Sequence, residues 1–200
     1  MLFRSGANVY AQNQLFATLD PTARKFVVHG VEFLLVDTVG FLQDLPHNLI
    51  DAFKSTLESA LHCDLALIVC DATGEFEMQK QTTLQTLEEL HFSSPYLLVM
   101  NKCETLEDYT ALPFDAIPVS AKTGFGLNQL KRAILQQFQE EFLFCELFVP
   151  YARTNDYAKL KKYVSERKIT YFDDGQTVLA TIPTRFAELF QEYIKSIEKI

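Results

Sequence analysis

Short apolar runs recur along the first part of the chain at intervals typical of buried strands. The uninterrupted runs at 65–72 (LALIVCDA) and 95–102 (PYLLVMNK) predict strands that are buried on both faces, and 116–121 (AIPVSA) predicts a shorter third strand. Upstream, FVVHG (26–30) and VEFLLVD (31–37) predict two strands around a tight turn. The pattern therefore indicates five strands in the first part of the chain.

Helical spacing separates the buried strands. Apolar residues recur every three or four positions over 49–61, 78–90 and 127–138, which predicts three helices. Strands that alternate with helices are typical of an α/β, doubly wound, mostly parallel sheet. Such sheets bind ligands in the loops that follow the carboxyl ends of their strands, so these loops are the places to search for a site.

The pattern changes near residue 145. We predict a strand at 146–151, a helix at 156–167, a hairpin over 169–183 with its turn at Asp173-Asp174-Gly175, and a final helix over 186–197. This order, β-α-β-β-α, describes a small α+β domain. The sequence thus predicts two domains, 1–142 and 146–200.

Charge, apolar run lengths and cysteine spacing limit the classes of function that fit this sequence. The formal net charge is −8, which argues against a broad basic surface for nucleic acid. The basic stretch 153–168 fits either a local RNA contact or a solvated helix face. No cationic leader and no apolar run of membrane-spanning length is present, so we expect a cytoplasmic protein without a membrane span. None of the four cysteines forms a CxxC pair, which predicts reduced thiols: Cys63, Cys70, Cys103 and Cys145.

Three short polar segments, two of four residues and one of three, follow predicted strands. They are Asp37-Thr38-Val39-Gly40, Asn101-Lys102-Cys103-Glu104 and Ser120-Ala121-Lys122. Any one of them is compatible with an ordinary turn at the end of a strand. Their order, each after a strand, is what points to one shared ligand site.

The first of these segments suits the phosphate end of a nucleotide. A nucleoside triphosphate is held with Mg²⁺ bridging its terminal phosphates, and the Asp37 carboxylate can hold that ion through water. Gly40 lets a backbone N–H approach the terminal phosphate without a side-chain clash. The Thr18 hydroxyl, on a preceding loop, can complete the metal shell only while that phosphate is present.

The other two segments suit a purine base. Asn101 can bond the purine edge, and the aliphatic stem of Lys102 can lie along the ring face. Glu104 can accept from the N1–H and N2–H₂ groups that guanine has and adenine lacks, while the Ala121 N–H can donate to the guanine carbonyl oxygen. A site with such polar partners rejects the wrong base because buried groups would stay unpaired.

Longer segments carry a family resemblance. The chain resembles the HflX family of P-loop GTPases in QLFATLDPT (14–22), DTVGF (37–41), LPHNLIDAFKSTLE (45–58), LLVMNK (97–102) and VSAKTGFG (119–126). The resemblance covers residues 1 to about 142 and is weaker beyond. It implies a GTP- or GDP-binding GTPase with Mg²⁺ that associates with the large ribosomal subunit and splits or rescues stalled ribosomes. We expect a monomer.

The resemblance also implies the site residues. The first switch is formed by Phe16, Ala17, Thr18, Leu19 and Asp20, the second by Asp37, Thr38, Val39 and Gly40, and the guanine site by Asn101, Lys102, Cys103, Glu104, Ser120, Ala121 and Lys122. The magnesium ligands are Thr18 and, through water, Asp37.

The chain departs from the family pattern in three places. It contains no GxxxxGK[ST] motif, which in the family precedes the segment that residues 1–10 resemble. We therefore expect an incomplete G domain that lacks its first strand and P-loop, with strands near 31–37 and 65–72 left without their central neighbour. Glu104 replaces the usual aspartate, and Phe41 stands where Ras-type enzymes have glutamine. The alternative function is a non-catalytic G-domain remnant or interaction scaffold.

Overall fold

The computed structural model describes residues 22–37, 62–89, 91–106 and 112–198. Its strands are β1 Thr22–Val28, β2 Val31–Asp37, β3 Ala66–Asp71, β4 Tyr96–Asn101, β5 Ile117–Pro118, β6 Phe142–Pro150, β7 Ser165–Tyr171, β8 Gly175–Pro183 and β9 Ile194–Ile197. Its α-helices are α1 Phe76–Glu89, α2 Leu127–Gln137 and α3 Thr154–Leu160. Short 3₁₀ helices lie at Cys103–Thr105, Tyr151–Arg153, Lys161–Tyr163 and Thr184–Phe190.

The chain divides into two compact units. One comprises residues 1–24 and 34–131, and the other comprises residues 25–33 and 132–200. The predicted domain bounds, 1–142 and 146–200, stay a prediction. No helix in the described ranges has both the length and the apolar character needed to cross a bilayer.

The first unit contains a parallel sheet with the order β3-β4-β5. The register runs from Ala66 beside Tyr96 to Asp71 beside Asn101, and β5 joins on the far side of β4. Apolar residues of β3, β4 and α1 form its core: Ile68, Cys70, Leu98, Met100 and Leu87. The predicted strands at 65–72, 95–102 and 116–121 and the predicted helices at 78–90 and 127–138 are confirmed. The predicted helix at 49–61 lies outside the described residues.

The hairpin β1-β2 forms a two-stranded sheet of its own. Its two-residue loop places both His29 (φ 48°) and Gly30 (φ 81°) in the left-handed region, as a type I′ turn requires. A Cβ on Gly30 would lie 2.8 Å from the Ser165 hydroxyl, so the residue is restricted by packing as well as by its dihedral angles. The predicted strands around this turn are confirmed.

The hairpin tip belongs to the second unit. Val28 and Val31 are buried there with Leu135 and Phe144. The Thr181 hydroxyl donates to the His29 carbonyl oxygen, which fixes the turn to β8. The sequence pattern gave no sign of this docking, because the tip and β8 are far apart in the chain.

The rest of the second unit is an antiparallel sheet with the order β7-β8-β6-β9. β6 and β8 pair over their whole lengths, from Phe142 beside Pro183 to Pro150 beside Gly175. One face of this sheet and α3 enclose a core whose central members are fully buried: Cys145, Leu147, Val149, Tyr157, Val178, Ala180, Ile182 and Phe190. Burial raises the pKa of the Cys145 thiol to about 11, so this thiol stays protonated.

Two predictions for this sheet are wrong. The predicted helix at 156–167 ends early, because Ser165 already pairs with Thr181 in a strand. The predicted final helix at 186–197 is instead a 3₁₀ helix over Thr184–Phe190 followed by strand β9. β9 lies on the edge of β6 that β8 leaves open, with Ile194 beside Leu147. Pairing with that edge satisfies backbone groups of β6 that a helix would leave unbonded.

Candidate functional site

The carboxyl ends of β3, β4 and β5 meet at one edge of the parallel sheet. Asp71 ends β3 directly beside Asn101, the last residue of β4. The Ala72 N–H continues this pairing by donating to the Asn101 carbonyl oxygen at 2.9 Å. After β5, the Val119 N–H donates to the Met100 carbonyl oxygen at 2.8 Å. The loops that follow these strands are therefore neighbours, as the rule for parallel sheets predicts.

Asn101 ties the loop after β4 to the loop after β5. Its Oδ1 accepts from the Ala121 N–H at 3.0 Å, and Asn101 is only partly exposed. A second link is backbone to backbone, because the Cys103 N–H donates to the Val119 carbonyl oxygen at 3.1 Å. These two bonds fix the Asn101 segment and the Ser120 segment against each other.

Ser120 holds the second loop from inside. It is fully buried, and its hydroxyl oxygen accepts from the Thr123 N–H at 3.0 Å. The same hydroxyl bonds the exposed Glu104 carboxylate, and this bond is the main reason why the pKa of Glu104 lies below its usual value. Glu104 therefore presents a charged acceptor to solvent beside the Asn101–Ala121 link.

Glycine shapes the turn that follows. Gly126 has a φ of 72°, and a Cβ there would lie 2.0 Å from the Pro118 carbonyl oxygen. No other residue fits so close to the end of β5. Gly124 also has a positive φ, 86°, but space around it is open. The close approach at Gly126 brings the start of α2 against the last residues of β5.

Lys102 and Asp71 form an ion pair across the ends of β3 and β4. Lys102 is left-handed (φ 67°), and its Nζ donates to Asp71 Oδ2 at 2.6 Å. Burial alone raises the pKa of the Asp71 carboxyl, but the bonds from Lys102 and Thr73 outweigh it and leave the pKa below its usual value. Sequence reasoning missed Asp71, although the strand-end rule that selected Asn101 also applies to it.

The structure brings together one part of the predicted site. The end of β4 and the two linked loops contain seven of the predicted residues: Asn101, Lys102, Cys103, Glu104, Ser120, Ala121 and Lys122. Cys103 is fully buried and its thiol donates to the Met100 carbonyl oxygen, so only its backbone can face a ligand. Asp37 ends β2. The other predicted residues, Phe16–Asp20 and Thr38–Gly40, lie outside the described residues.

The described residues at this edge offer polar groups that a purine base could bond. A charged acceptor at Glu104 and a carboxamide at Asn101 match the donors and acceptors on the guanine edge. The Ala121 N–H is already bonded to Asn101, so a guanine carbonyl oxygen must share or take over that donor. Across the described ranges, no group of three or more His, Cys, Asp or Glu side chains could hold a metal ion.

Comparison with known proteins places the sequence in a family. A family model described as "50S ribosome-binding GTPase" matches residues 2–102. The GTPase HflX of Caldanaerobacter subterraneus subsp. tengcongensis is 36% identical over 195 residues, which cover 96% of this chain and 46% of that protein. The GTPase HflX of Escherichia coli (strain K12) is 41% identical over 145 residues, which cover 68% of this chain and 34% of that protein. The chain thus spans less than half the length of these relatives.

The fold comparison agrees with the sequence comparison. The crystal structure of a mutation variant of SsGBP has a TM-score of 0.50 to this chain at 26% identity, over 57% of this chain and 46% of that one. This match confirms the predicted α/β G-domain fold. Together with the family match and the sequence relatives, it confirms the resemblance found in the motifs. The chain belongs to the HflX family of GTPases.

Proposed function

We propose that the linked loops after β4 and β5 recognise the guanine base of GTP and GDP. In this proposal the chain supplies the nucleotide-binding part of a GTPase that acts with the large ribosomal subunit, where it splits or rescues stalled ribosomes. Family membership and the matched description, 50S ribosome-binding GTPase, support the ribosomal part. The strand-end geometry supports the guanine part.

One observation carries the guanine assignment. The Asn101–Ala121 bond holds the two loops together, and the Ser120 hydroxyl holds the Glu104 carboxylate in its charged form beside that bond. A carboxylate can accept from both N1–H and N2–H₂ of guanine. Adenine presents no N1–H and no amino group at C2, so it would leave the carboxylate unpaired. The arrangement therefore selects guanine over adenine.

Base binding requires one exchange of hydrogen bonds in this proposal. The Ala121 N–H leaves or shares its bond to Asn101 Oδ1 and donates to the guanine carbonyl oxygen. The Asn101 carboxamide is then released to bond the purine edge. Because one bond is exchanged for another, the step leaves no buried donor or acceptor unpaired.

The phosphate end of the nucleotide is proposed from the family resemblance. Thr18 would bind Mg²⁺ directly, Asp37 would bind it through water, and the backbone at Gly40 would face the terminal phosphate. Bound magnesium supplies positive charge that neutralises the phosphate oxygens. Catalysis would be mainly electrostatic, and Phe41, which cannot orient a water molecule by hydrogen bonding, predicts slow hydrolysis without other groups.

Base selectivity tests the proposal without depending on tight phosphate binding. Titration of the chain with guanosine and adenosine, followed by calorimetry or NMR, should show at least about a tenfold preference for guanosine. Glu104→Gln should lose that preference and gain affinity for xanthosine, whose C2 oxygen can accept from the new amide. The matched control is Glu88→Gln, which neutralises an exposed carboxylate on α1.

The titrations of the parent chain and of the two variants either support or reject the guanine site. Loss of selectivity in Glu104→Gln but not in Glu88→Gln supports the guanine site. Equal binding of guanosine and adenosine by the parent chain, or no saturation with either, rejects it and favours the alternative, an interaction scaffold. Cosedimentation with purified large ribosomal subunits tests the ribosomal part separately. If the chain does not cosediment without nucleotide, with GDP or with GTP, that part is contradicted.

A further inference from the structure

We infer that Asp71 is a positioning residue of the base site, which holds the side chain of Lys102 as one wall for the purine ring. This inference rests on the proposed function and adds a residue outside all of the predicted site segments. It depends on three features: the backbone conformation of Lys102, its ion pair, and the way in which Asp71 is itself anchored.

The first feature fixes where the Lys102 side chain starts. Lys102 lies between the end of β4 and the 3₁₀ helix that begins at Cys103, and it adopts φ 67° and ψ 25°. A left-handed conformation is uncommon for a residue other than glycine, asparagine or aspartate. It directs the Cα–Cβ bond differently from a helical or extended residue. The left-handed turn therefore sets the direction in which the stem leaves the backbone.

The second feature fixes where the side chain ends. Lys102 Nζ lies 2.6 Å from Asp71 Oδ2, although 57% of the lysine side chain is exposed and the aspartate is in another strand. An exposed lysine normally samples many rotamers. Here the backbone holds one end of the aliphatic stem and the ion pair holds the other. The stem is the part that can pack against the face of a purine.

The third feature is that Asp71 is a fixed anchor. Its Oδ1 accepts from the Thr73 N–H at 3.0 Å and from the Thr73 hydroxyl at 2.7 Å. Its own N–H donates to Gln79 Oε1 at 3.0 Å. One carboxylate oxygen is thus engaged by the following turn, and the other points to Lys102. These bonds restrict the position of the carboxylate that Lys102 contacts.

This geometry assigns affinity for the base and selectivity between bases to different residues. Asp71 preorganises the aliphatic stem of Lys102 before the base binds. It should therefore raise the affinity for any purine that the site accepts. Glu104, by contrast, faces the groups that differ between purines. Loss of Asp71 should therefore weaken binding without changing which base is preferred. A residue that only caps the turn after β3 would alter neither quantity.

Asp71→Asn isolates the ion pair. Asparagine keeps an Oδ1 acceptor for both Thr73 donors, but it replaces the oxygen that faces Lys102 with an NH₂ group. We expect guanosine to bind roughly three- to tenfold more weakly, with the guanosine-to-adenosine ratio unchanged. Lys102→Met keeps an unbranched stem without the ammonium and should show a similar loss. In the Lys102→Met background, Asp71→Asn should have no further effect.

Asp156→Asn is the matched control. It breaks the exposed Lys159–Asp156 pair, whose 2.9 Å separation resembles that of the Asp71–Lys102 pair, and should leave guanosine binding unchanged. Thermal unfolding of each variant separates altered binding from loss of fold. Unchanged guanosine affinity in folded Asp71→Asn overturns this inference, as does an additive loss in the double variant. If the parent chain itself does not prefer guanosine, the proposed function falls and this inference falls with it.

Discussion

The antiparallel and the parallel sheet distribute apolar and polar groups in different ways. In the sheet β7-β8-β6-β9, the two central strands contribute to a closed core in which Leu147, Val149 and Val178 are fully buried. In the sheet β3-β4-β5, Leu98, Val99 and Met100 of the central strand are buried, but Val69 on β3 is 36% exposed, and within the described ranges β3 pairs on one side only. Its polar groups gather where the strands end.

This difference separates stability from ligand binding. Substitutions inside the antiparallel sheet should change the free energy of unfolding, because they remove packed apolar contacts. Substitutions of exposed side chains at the ends of these strands, such as Lys102 and Glu104, should change ligand affinity or selectivity first, because these side chains lie at the surface. Four predictions test this separation, beginning with the largest effect.

Leu147→Ala should destabilise the chain by about 2–5 kcal/mol, because it opens a cavity at a fully buried position between β8 and β9. Urea unfolding followed by far-UV circular dichroism measures this loss. Ile197→Ala on β9 is the control, since that side chain is 64% exposed, and it should cost within about 0.5 kcal/mol. Equal losses in both variants would show that the antiparallel core does not determine stability.

Gly126→Ala should destabilise the parallel unit by more than about 1 kcal/mol, because the new methyl group would meet the Pro118 backbone oxygen at 2.0 Å with φ at 72°. Gly124→Ala shares the positive φ but has open space, so it should cost only about 1 kcal/mol of backbone strain. Chemical denaturation compares the two. A larger loss in Gly124→Ala would contradict the packing described for the loop after β5.

Tyr157→Phe should cost about 1–2 kcal/mol, because it removes the 2.9 Å hydrogen bond from the Tyr157 hydroxyl to the Glu166 carboxylate. Burial, followed by this bond and the charge of Glu166, raises the pKa of Tyr157, so the hydroxyl stays protonated throughout the working range. The urea concentration at the unfolding midpoint should fall, while the slope of the unfolding free energy against urea concentration should stay unchanged. Unaltered guanosine binding in this variant would support the separation of stability from recognition.

The smallest expected effect is a shift in the pH at which the chain loses its preference for guanosine. The Ser120 bond lowers the pKa of Glu104, so more than half of the carboxylate is still charged when the pH reaches the usual value of 4.5. The sign follows from that direction: the interaction is fully present above the unfolded pKa and is lost as the pH falls through the lower folded pKa. Guanosine preference should therefore persist to pH 4.5 in the parent chain. Ser120→Ala should lose the preference at a higher pH.

Much of the parallel unit could be predicted from the sequence. Continuous apolar runs located β3 and β4, and apolar residues every three or four positions located α1 and α2, because each element buries its own residues locally. In the second unit, the His29-Gly30 turn was also predicted, because glycine readily accepts the positive φ that such a turn requires. The strand-end rule for parallel sheets selected Asn101 and Ser120, but Asp71, which ends β3 in the same way, was missed.

The C-terminal unit was predicted less well. The spacing of Phe186, Phe190 and Tyr193 fits an α-helix, but the structure has a 3₁₀ helix over Thr184–Phe190 that ends before Tyr193. What decides between them is the open edge of β6, which is distant in sequence and recruits Ile194–Ile197 as a strand. In the same way, pairing with β8 ends the helix predicted over 156–167. Tertiary pairing overrode local periodicity at both places.

The most direct test of the guanine site is a ¹H–¹⁵N NMR titration of the chain with guanosine and with adenosine. A guanine site at the ends of β4 and β5 should give saturable shifts for the amides of Asn101, Glu104 and Ala121 with guanosine, and much smaller shifts with adenosine. The amides of β6 and β8 should stay unchanged. Equal shifts with both nucleosides, or shifts concentrated in the antiparallel sheet, would contradict a guanine site at the ends of β4 and β5.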